Sequence, residues 1–273
     1  MLDDLDAVLL EFANASRTVG ESVGFIFDFD GTLAPIVESP SKARMHPLFV
    51  PLLRRIISSY DLAIVSGRPI DFLLEQFKFL ASQTRNFRVR LFGHYGFESS
   101  DLEGLSIERR VIPAGELEKL EEFRNRWKRM SFPEVAFEDK GVSFGLHYRG
   151  APQIRQPLGA WISQELAQLQ GLIIRPGKMV FEVAPASMPS KEVVVNELLS
   201  FTPRVVFSGD DYGDLGVFRL LRLDNYSKRC LSILVANASE TPDELAETCD
   251  LKTQSPAELA LVIDRLLGLL DQS

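Results

Sequence analysis

The chain has 273 residues, of which 45% are hydrophobic, so it can bury a sizeable core in one large domain or two smaller ones. Its net charge of −8 and isoelectric point of about 5.1 argue against nucleic acid or an anionic membrane surface as the main partner. The N-terminus holds three aspartates and no basic residue over 1–10, unlike a signal or transit peptide, and no apolar run reaches the roughly 20 residues of a membrane span.

Helices alternate with short apolar strands over the first third of the chain. The predicted elements are a helix over 3–18, a strand over 23–28, a helix over 48–59, a strand over 62–65, a helix that follows Pro69 and ends near Leu80, and a strand over 89–92. This alternation is typical of a parallel sheet with helices on both of its faces.

The pattern becomes rich in strands over 105–185. The elements predicted there are a strand over 107–112, a charged helix over 114–130, a hairpin of strands 134–138 and 142–148, a helix over about 153–170, and strands over 172–175 and 179–183. We therefore expect an inserted α+β domain over 105–185.

The alternation of helices and strands resumes from residue 186. The predicted elements are a helix over 191–200, a strand over 205–207, a helix over 213–222, a strand over 231–235, and two last helices that start at Thr241-Pro242 and Ser255-Pro256. The predicted fold class is therefore α/β, with a Rossmann-like parallel-sheet core that is discontinuous over 1–104 and 186–273.

The cysteine content bears on the cellular location. The chain has two cysteines, Cys230 and Cys249, with no CxxC motif or Cys/His cluster beside them, which argues against structural zinc. We therefore expect reduced thiols in a cytoplasmic protein. We also expect a monomer that binds neither nucleic acid nor membranes.

The apolar run from Val23 to Phe27 leads to two carboxylates, Asp28 and Asp30. Residues two apart in an extended chain project to the same side, so both side chains face one spot beyond the strand. Two like charges at one place need a cation or a proton to neutralise them. Gly31 permits a tight turn whose backbone N–H groups can face an anion. Carboxylates for a metal beside amides for a phosphate indicate phosphoryl transfer, and the alternative is a strand that ends in an acidic turn.

Further polar groups follow the other predicted strands or begin predicted helices. They are Ser66, Lys191 and the acidic run that contains Asp210, Asp211 and Asp214. Ligands of an open parallel sheet bind outside the carboxyl ends of the strands, where all of these groups can converge. Ser66 can donate a hydrogen bond to a phosphate oxygen, and Lys191 offers a positive charge to a phosphoryl group.

The carboxylates permit two kinds of role. Asp28 can attack phosphorus to form an aspartyl phosphate, and Asp30 can protonate the leaving alcohol and then activate water. The oxygens of Asp28 and Asp210 suit Mg²⁺, and either Asp211 or Asp214 can complete or orient that shell. The sequence leaves the choice between these last two open.

Each of these residues also has a purely structural interpretation. Acids at 210, 211 and 214 are favourable at the N-terminus of a helix, and Ser66 is a typical N-cap residue. Lys191 can simply be a lysine exposed to solvent. A cation in the first turn of a helix opposes the helix dipole, however, at a cost of about 0.3–1 kcal/mol that an anionic partner would offset. The groups fall in order at one predicted sheet edge, which favours the functional interpretation.

The ordered set Asp28-Phe-Asp-Gly-Thr32, Ser66, Lys191 and Gly209-Asp210-Asp-x-x-Asp214 resembles the four motifs of haloacid-dehalogenase-type phosphatases. Four longer segments are similar to trehalose-6-phosphate phosphatases, and the similarity covers about 23–265. These segments are FDFDGTLAPI (27–36), VSGRP (65–69), LHYR (146–149) and GKMVFE (177–182). The chain departs from that family at Glu192, where glycine is usual, and at Gly213-Asp214-Leu215, where Thr-Asp-Glu is usual.

The resemblance implies a Mg²⁺-dependent phosphatase of a small sugar phosphate, with trehalose 6-phosphate as the first candidate substrate. It implies catalytic roles for Asp28, Asp30, Ser66 and Lys191, and metal binding by Asp28, Asp30, Asp210 and Asp214. The substrate-binding residues that we assign are Thr32, Gly67, Arg68 and Asp211 in the sheet domain, and Glu138, Lys140, His147, Arg149, Lys178 and Glu182 in the inserted domain. The inserted domain would be a cap, and the structural alternative for its charged residues is a solvated sheet face.

Two alternatives to this function stay open. The same chemistry can serve another sugar phosphate, such as sucrose phosphate or a mannosyl- or glucosyl-phosphoglycerate. The chain can also be a non-catalytic sensor of sugar phosphates. The complete set of motifs argues against the sensor, because such domains often lose the nucleophile or the general acid.

Overall fold

A computed structural model describes residues 2–19, 22–37, 42–81, 89–102, 106–130, 132–177, 179–236 and 243–272. The chain divides into two compact units, of which the first is Met1–Arg109 with Pro189–Ser273 and the second is Arg110–Met188. The sequence predicts a division after 104 and after 185. The role of the second unit as a cap stays a prediction.

The helices and strands agree with the predicted elements to within a few residues in most places. In chain order the helices are α1 (Leu2–Val19), α2 (Phe49–Ser59), α3 (Ile70–Phe77), α4 (Ala114–Trp127), α5 (Arg155–Gln168), α6 (Lys191–Leu199), α7 (Leu215–Leu221), α8 (Asp243–Thr248) and α9 (Pro256–Leu270). The strands are β1 (Val23–Phe27), β2 (Asp61–Val65), β3 (Val89–Gly93), β4 (Glu98–Asp101), β5 (Glu108–Arg109), β6 (Ala136–Asp139), β7 (Phe144–His147), β8 (Leu172–Gly177), β9 (Val180–Pro185), β10 (Arg204–Gly209), β11 (Leu231–Val235) and β12 (Leu251–Thr253).

The first unit is built on one sheet, in which the described residues form eight strands in the order β12-β11-β10-β1-β2-β3-β4-β5. The strands from β12 to β3 run parallel, and β4 and β5 continue the sheet antiparallel at one edge. The predicted α/β class with a parallel-sheet core is therefore confirmed. β1 lies between β10 and β2, so its carboxyl end is central in the sheet.

Helices pack on both faces of this sheet. Phe25 and Phe27 of β1 join a core with α1, α2, α3 and α9, whereas Ile26 joins a second core with α6, α7 and α8. Successive strand residues point to opposite faces, so one short apolar strand serves both cores. The start of α9 follows the predicted signal, because the Ser255 hydroxyl accepts the N–H of Glu258 at 3.2 Å. Thr241-Pro242 lies outside the described residues.

The predicted strand over 107–112 is wrong in extent and in position. Strand structure covers only Glu108–Arg109, and it pairs with Glu98 and Ser99 of β4 in the first sheet. Val111 is 90% exposed, because the chain beyond Arg109 has no neighbouring strand and passes to α4. β4 was not predicted, since its sequence ESSD has no apolar alternation, and β12 is a further short edge strand that the sequence did not indicate.

The second unit is a four-stranded antiparallel sheet in the order β6-β7-β9-β8. Its core includes Phe144, Leu146 and Val183 from the strands, packed with Phe123 of α4 and Ile162 of α5. Among the described residues of the whole chain, no helix has both the length and the apolar composition that crossing a membrane requires.

Candidate active site

Asp28 follows the last residue of β1 and is 4% exposed. Its backbone N–H donates to the carbonyl of Ser208 in β10 at 2.9 Å, so the ladder between the two strands holds the residue in place. Gly31, with φ of 81°, then forms the tight turn. A Cβ atom at Gly31 would lie 1.9 Å from Oδ2 of Asp210, so only glycine allows the turn to come this close to that carboxylate.

Three buried carboxylates meet at the carboxyl ends of β1 and β10. Oxygen atoms of Asp28, Asp210 and Asp214 lie within 4.8 Å of one another, which is close enough for all three side chains to hold one metal ion. Among the described residues, this is the group of acidic, histidine or cysteine side chains with that spacing. The parallel pairing of β1 with β10 brings these carboxylates together, although they are far apart in sequence.

Lys191 joins two of these carboxylates. Its Nζ atom lies 2.8 Å from Oδ1 of Asp28 and 2.7 Å from Oδ1 of Asp214. The Ser190 hydroxyl accepts the N–H of Val193, which starts α6 and places Lys191 in its first turn. The interpretation of Lys191 as a solvated residue is wrong, since it is 3% exposed.

Burial and the attraction between opposite charges both shift the pKa values of this cluster. It raises the pKa of Asp28 well above its usual value; the charge of Lys191 opposes this rise, and the carboxylates of Asp214 and Asp210 add to it. Burial alone would lower the pKa of Lys191, but Asp214 and Asp28 outweigh it and raise that pKa well above its usual value. The ammonium group of Lys191 pairs with two of the three grouped carboxylates, so these four ionised side chains sum to a net charge of −2 and favour a further cation.

Asp211 and Asp214 differ in what they contact. Oδ2 of Asp214 accepts the backbone N–H groups of Asp210 and Asp211 at 3.0 and 3.2 Å. Oδ1 of Asp211 accepts the N–H of Gly213 at 2.8 Å and so caps the short turn before α7. Of the two acids between which the sequence does not choose, Asp214 is therefore the one that joins Asp28 and Asp210.

The carboxylate of Asp30 lies outside this three-carboxylate group. It forms a two-pronged ion pair with Arg68, in which Nε and Nη2 donate to its two oxygens at 2.6 Å each. The guanidinium also lies over the ring of Phe72, 4.7 Å from its centroid. The roles that the sequence assigns to Asp30 and Arg68 stay predictions.

Ser66 and Thr32 are both buried beside the strand ends. The Ser66 hydroxyl accepts the N–H of Arg68 at 3.2 Å, as in an N-cap, and can still donate a hydrogen bond. The Thr32 hydroxyl is buried and makes no hydrogen bond within the described part of the chain. Gly67 follows Ser66 in the same turn.

Sequence reasoning assigned no chemistry to the segment that follows β3. Glu98 is 7% exposed and accepts the N–H of Ile70 at 3.0 Å and Nε of Arg109 at 3.0 Å. His94 and Tyr95 precede it and have left-handed backbones. The signal available in the sequence was the pair of glycines, Gly93 and Gly96, that brackets His94 and Tyr95 at a strand end.

Four of the predicted substrate-binding residues lie on one face of the second unit's sheet, away from its apolar core. Nε2 of His147 lies 2.9 Å from Oε2 of Glu138, while Lys140 Nζ and the Ser143 hydroxyl each donate to Glu182 at 2.8 Å. Burial alone would raise the pKa of Glu182, but Lys140, Ser143 and Arg175 outweigh it, and the pKa is lowered. The remaining two residues differ: Arg149 is exposed in the turn after β7, and Lys178 lies outside the described residues.

Comparison with known protein families shows which family the chain belongs to. The family described as trehalose-phosphatase matches residues 26–255. The chain belongs to the trehalose-phosphatase family. The predicted resemblance and the phosphatase class are thereby confirmed.

Individual proteins and a solved structure are also similar to the chain. The chain is 28% identical to trehalose-phosphate phosphatase B of Arabidopsis thaliana, over 94% of this chain and 69% of that protein. It is 29% identical to a probable trehalose-phosphate phosphatase of Sinorhizobium fredii, over 80% of this chain and 82% of that protein. The structure of the C. albicans trehalose-6-phosphate phosphatase C-terminal domain superposes with a TM-score of 0.73 at 21% identity, over 96% of each chain, which shows the shared fold.

Proposed function

We propose that this protein hydrolyses trehalose 6-phosphate to trehalose and phosphate, with Asp28 as the nucleophile. One observation carries the proposal: Asp28 lies at the carboxyl end of the central strand, in contact with Lys191 and grouped with Asp210 and Asp214. This arrangement combines a buried nucleophile, a cation for the phosphoryl group and ligands for a metal. Membership of the family supports the choice of trehalose 6-phosphate as the substrate.

The three grouped carboxylates fit Mg²⁺, because they are hard oxygen donors with a buried excess of negative charge. Asp28, Asp210 and Asp214 would hold the ion. The sequence adds Asp30 as a ligand, but its carboxylate pairs with Arg68, so we base the site on the other three. When bound, the ion supplies positive charge that stabilises the transferring phosphoryl group.

The chain's own residues divide the reaction into two steps. In the first, an Asp28 oxygen bonds to phosphorus, the bond from phosphorus to the sugar oxygen breaks, and Asp30 gives its proton to that oxygen. In the second, water attacks the aspartyl phosphate, Asp30 takes the proton, and the Asp28 carboxylate leaves. Lys191 and Ser66 stabilise the charge on the other phosphate oxygens. A phosphate ester competes with Asp30 for Arg68, and we propose that this competition frees Asp30 for proton transfer.

The sugar is recognised, in this proposal, by the polar face of the second unit. Glu138, His147, Lys140 and Glu182 supply donors and acceptors that suit sugar hydroxyls. The half-buried Glu138–His147 pair can exchange its contact for contacts with hydroxyl groups at small cost, since polar pairs that water still reaches contribute little to stability.

Phosphate release from a panel of substrates tests the function. The panel contains trehalose 6-phosphate, sucrose phosphate, and mannosyl- and glucosyl-phosphoglycerate, each assayed with Mg²⁺ and with excess chelator. We expect trehalose 6-phosphate to be turned over with the highest kcat/KM, and only with the metal present. A preference for another member of the panel would overturn the substrate, and tight binding of trehalose 6-phosphate without phosphate release would favour a sensor.

Metal binding needs a readout that does not depend on turnover. We expect Mg²⁺ to raise the Tm of the wild-type protein, because an ion that binds only the folded state stabilises it. The shift should be lost in Asp210→Asn, which removes a proposed ligand. An equal shift in both proteins would place the ion elsewhere.

We also propose a cytoplasmic monomer. Both cysteines, Cys230 and Cys249, are free thiols buried in the first unit, as suits a reducing compartment. Light scattering of the purified protein tests the monomer, and a mass twice that of the chain would overturn it. Localisation of a tagged protein by cell fractionation tests the compartment.

A further inference from the structure

Two consecutive residues after β3 have an unusual backbone. His94 and Tyr95 have φ of 47° and 60°, in the left-handed region that favours glycine. Few residues other than glycine adopt this conformation, and large aromatic residues adopt it less readily than asparagine or aspartate, whose short polar side chains can hydrogen-bond locally. Such backbones persist where surrounding contacts determine them, and they cluster at functional sites.

The contacts that hold this segment come from the turn that carries Ser66. The backbone N–H of Tyr95 donates to the carbonyl of Ser66 at 2.8 Å, and that of His94 donates to the carbonyl of Arg68 at 2.9 Å. In return, the N–H of Ser66 donates to the carbonyl of Phe92 at 3.0 Å. The backbone of Phe92–Tyr95 is therefore tied to the proposed phosphate-binding turn by three hydrogen bonds, and Tyr95 itself donates one of them to Ser66.

The ring of Tyr95 lies between two glycines of the proposed active site. A Cβ atom on Gly67 would lie 2.9 Å from both Cζ and Oη of Tyr95, and one on Gly213 would lie 3.6 Å from Cε1. Gly67 follows Ser66, and Gly213 precedes Asp214. The ring thus separates the turn of the phosphate-binding hydroxyl from the turn of the proposed metal ligands, and the glycines leave room for it.

We propose that Tyr95 is a positioning residue whose ring sets the spacing between the Ser66–Arg68 turn and the Asp210–Asp214 turn. The proposal rests on the proposed function in one respect, namely that these two turns bind the phosphate and the metal. It assigns the effect to the ring and not to the phenol hydroxyl. Tyr95 then acts on the substrate through Ser66 and Asp214, not by contact.

Two substitutions at Tyr95 separate the effect of its ring from the effects of its hydroxyl group and of its backbone conformation. Tyr95→Phe keeps the ring, and we expect it to keep kcat within about threefold. Tyr95→Asn removes the ring but suits the left-handed backbone, because asparagine adopts it more readily than most residues. We expect Tyr95→Asn to lower kcat about 10- to 100-fold, as a displacement of about 1 Å in a catalytic group does. Equal losses in both variants would overturn the proposal in favour of the hydroxyl.

A double-mutant cycle tests the contact between the ring and Gly67. The backbone of Gly67 is not left-handed, so Gly67→Ala probes the space beside the ring and not the backbone. We expect Gly67→Ala to lower kcat about tenfold in the wild type, because its methyl group displaces the Tyr95 ring. In the Tyr95→Asn background the same change should cost less than about twofold. If Gly67→Ala lowered kcat by the same factor in both backgrounds, the proposal would be overturned.

Tyr226→Asn is the matched control, since Tyr226 is also a half-buried tyrosine of the first unit but precedes β11 at the amino end of that strand. We expect it to lower Tm while keeping kcat. If Tyr95→Asn likewise changed only Tm, the role of Tyr95 would be structural and the proposal would be wrong.

Calorimetric binding of inorganic phosphate in the presence of Mg²⁺ separates this proposal from the proposed function. We expect Tyr95→Asn to weaken phosphate binding about tenfold and Tyr95→Phe to bind like the wild type. Should the wild type release phosphate from none of the substrates, the function fails, while the binding data still decide the role of Tyr95. Equal phosphate affinity in all three proteins would overturn the positioning role.

Discussion

The two units of this molecule differ in how deeply the charged side chains of the proposed site are buried. In the first unit, Asp28, Asp210, Asp214 and Lys191 are each at most 4% exposed, and Lys191 contacts both Asp28 and Asp214. In the second, the side chains of Glu138 and His147 are 39% and 33% exposed on an open sheet face. Buried charges act strongly on each other and on any ligand, whereas exposed pairs are screened by water. The difference supports the proposed division, in which residues of the first unit carry out the reaction and residues of the second recognise the sugar.

The buried Glu182 of the second unit qualifies this contrast. It is 3% exposed, but Lys140 and Ser143 satisfy both of its oxygens, so it needs no further cation. The cluster in the first unit, by comparison, groups three carboxylates with one ammonium group. A charge excess left in a buried site, and not burial alone, is what distinguishes the proposed catalytic cluster.

The largest expected effect comes from the nucleophile. Asp28→Asn keeps the shape of the side chain but removes its nucleophilic oxygen, and we expect kcat to fall by at least about 10⁴-fold. The fold should persist, because the change reduces the excess of buried negative charge. Phosphate release and thermal unfolding of the same preparation measure both, and near-native turnover would show that the nucleophile is another residue.

Lys191→Met tests whether the buried ammonium group serves both stability and chemistry. We expect the free energy of unfolding to fall by about 3–5 kcal/mol, because two buried carboxylates lose their partner. We expect kcat to fall about 10²–10³-fold. Urea unfolding and phosphate release measure the two effects. Lys78→Met is the control, because this lysine is 67% exposed in a surface ion pair, and it should change neither stability nor kcat. An equally small effect of Lys191→Met would contradict the strong interactions inferred for the buried charges of the first unit.

His147→Ala tests recognition by the second unit. We expect kcat/KM for trehalose 6-phosphate to fall about 3- to 10-fold, as the loss of one net hydrogen bond predicts. The rate with para-nitrophenyl phosphate, which has no sugar, should stay within about twofold. Equal losses with both substrates would mean that the polar face acts through the fold and not on the sugar. Glu134→Gln, at an exposed acid before β6, is the control.

Glu182→Gln should lower stability, and the size of this effect should depend on pH. The folded pKa of Glu182 lies below its ordinary value of 4.5, so the ionised group stabilises the fold above that pH and this contribution is lost as the pH falls through the folded pKa. We expect the variant to lose about 1–3 kcal/mol at neutral pH and to converge with the wild type in acid. Urea unfolding at both pH values measures it, and a constant difference would refute the ion-pair account.

Much of the proposed site could be predicted because its residues stand directly at the ends of apolar strands. The run Val23–Phe27 indicates a buried strand whose carboxyl end must carry Asp28, and the run before Asp210 indicates its neighbour. Parallel strands then bring the two acids to one edge whatever the loops between them do. Lys191 could be predicted because it stands at the start of the predicted helix over 191–200.

Other features could not be read from such patterns. The polar β4 and the two-residue β5 depend on neighbouring strands, and so the sequence predicted a longer strand in the wrong place. The pairing of Asp30 with Arg68 joins two residues that the sequence assigned separately to proton transfer and to substrate. Long-range contacts decide these features, and local apolar periodicity does not report them.

Local sequence patterns were enough to predict the fold class, the family resemblance, and which acids and which lysine lie at the sheet edge. Contacts between distant segments show that Asp214 and not Asp211 joins Asp28 and Asp210, and that Tyr95 lies between Gly67 and Gly213. The two kinds of feature differ because strand and helix periodicities are local and specify which face or end a residue occupies. Which side chains then touch depends on packing between segments that are distant in sequence.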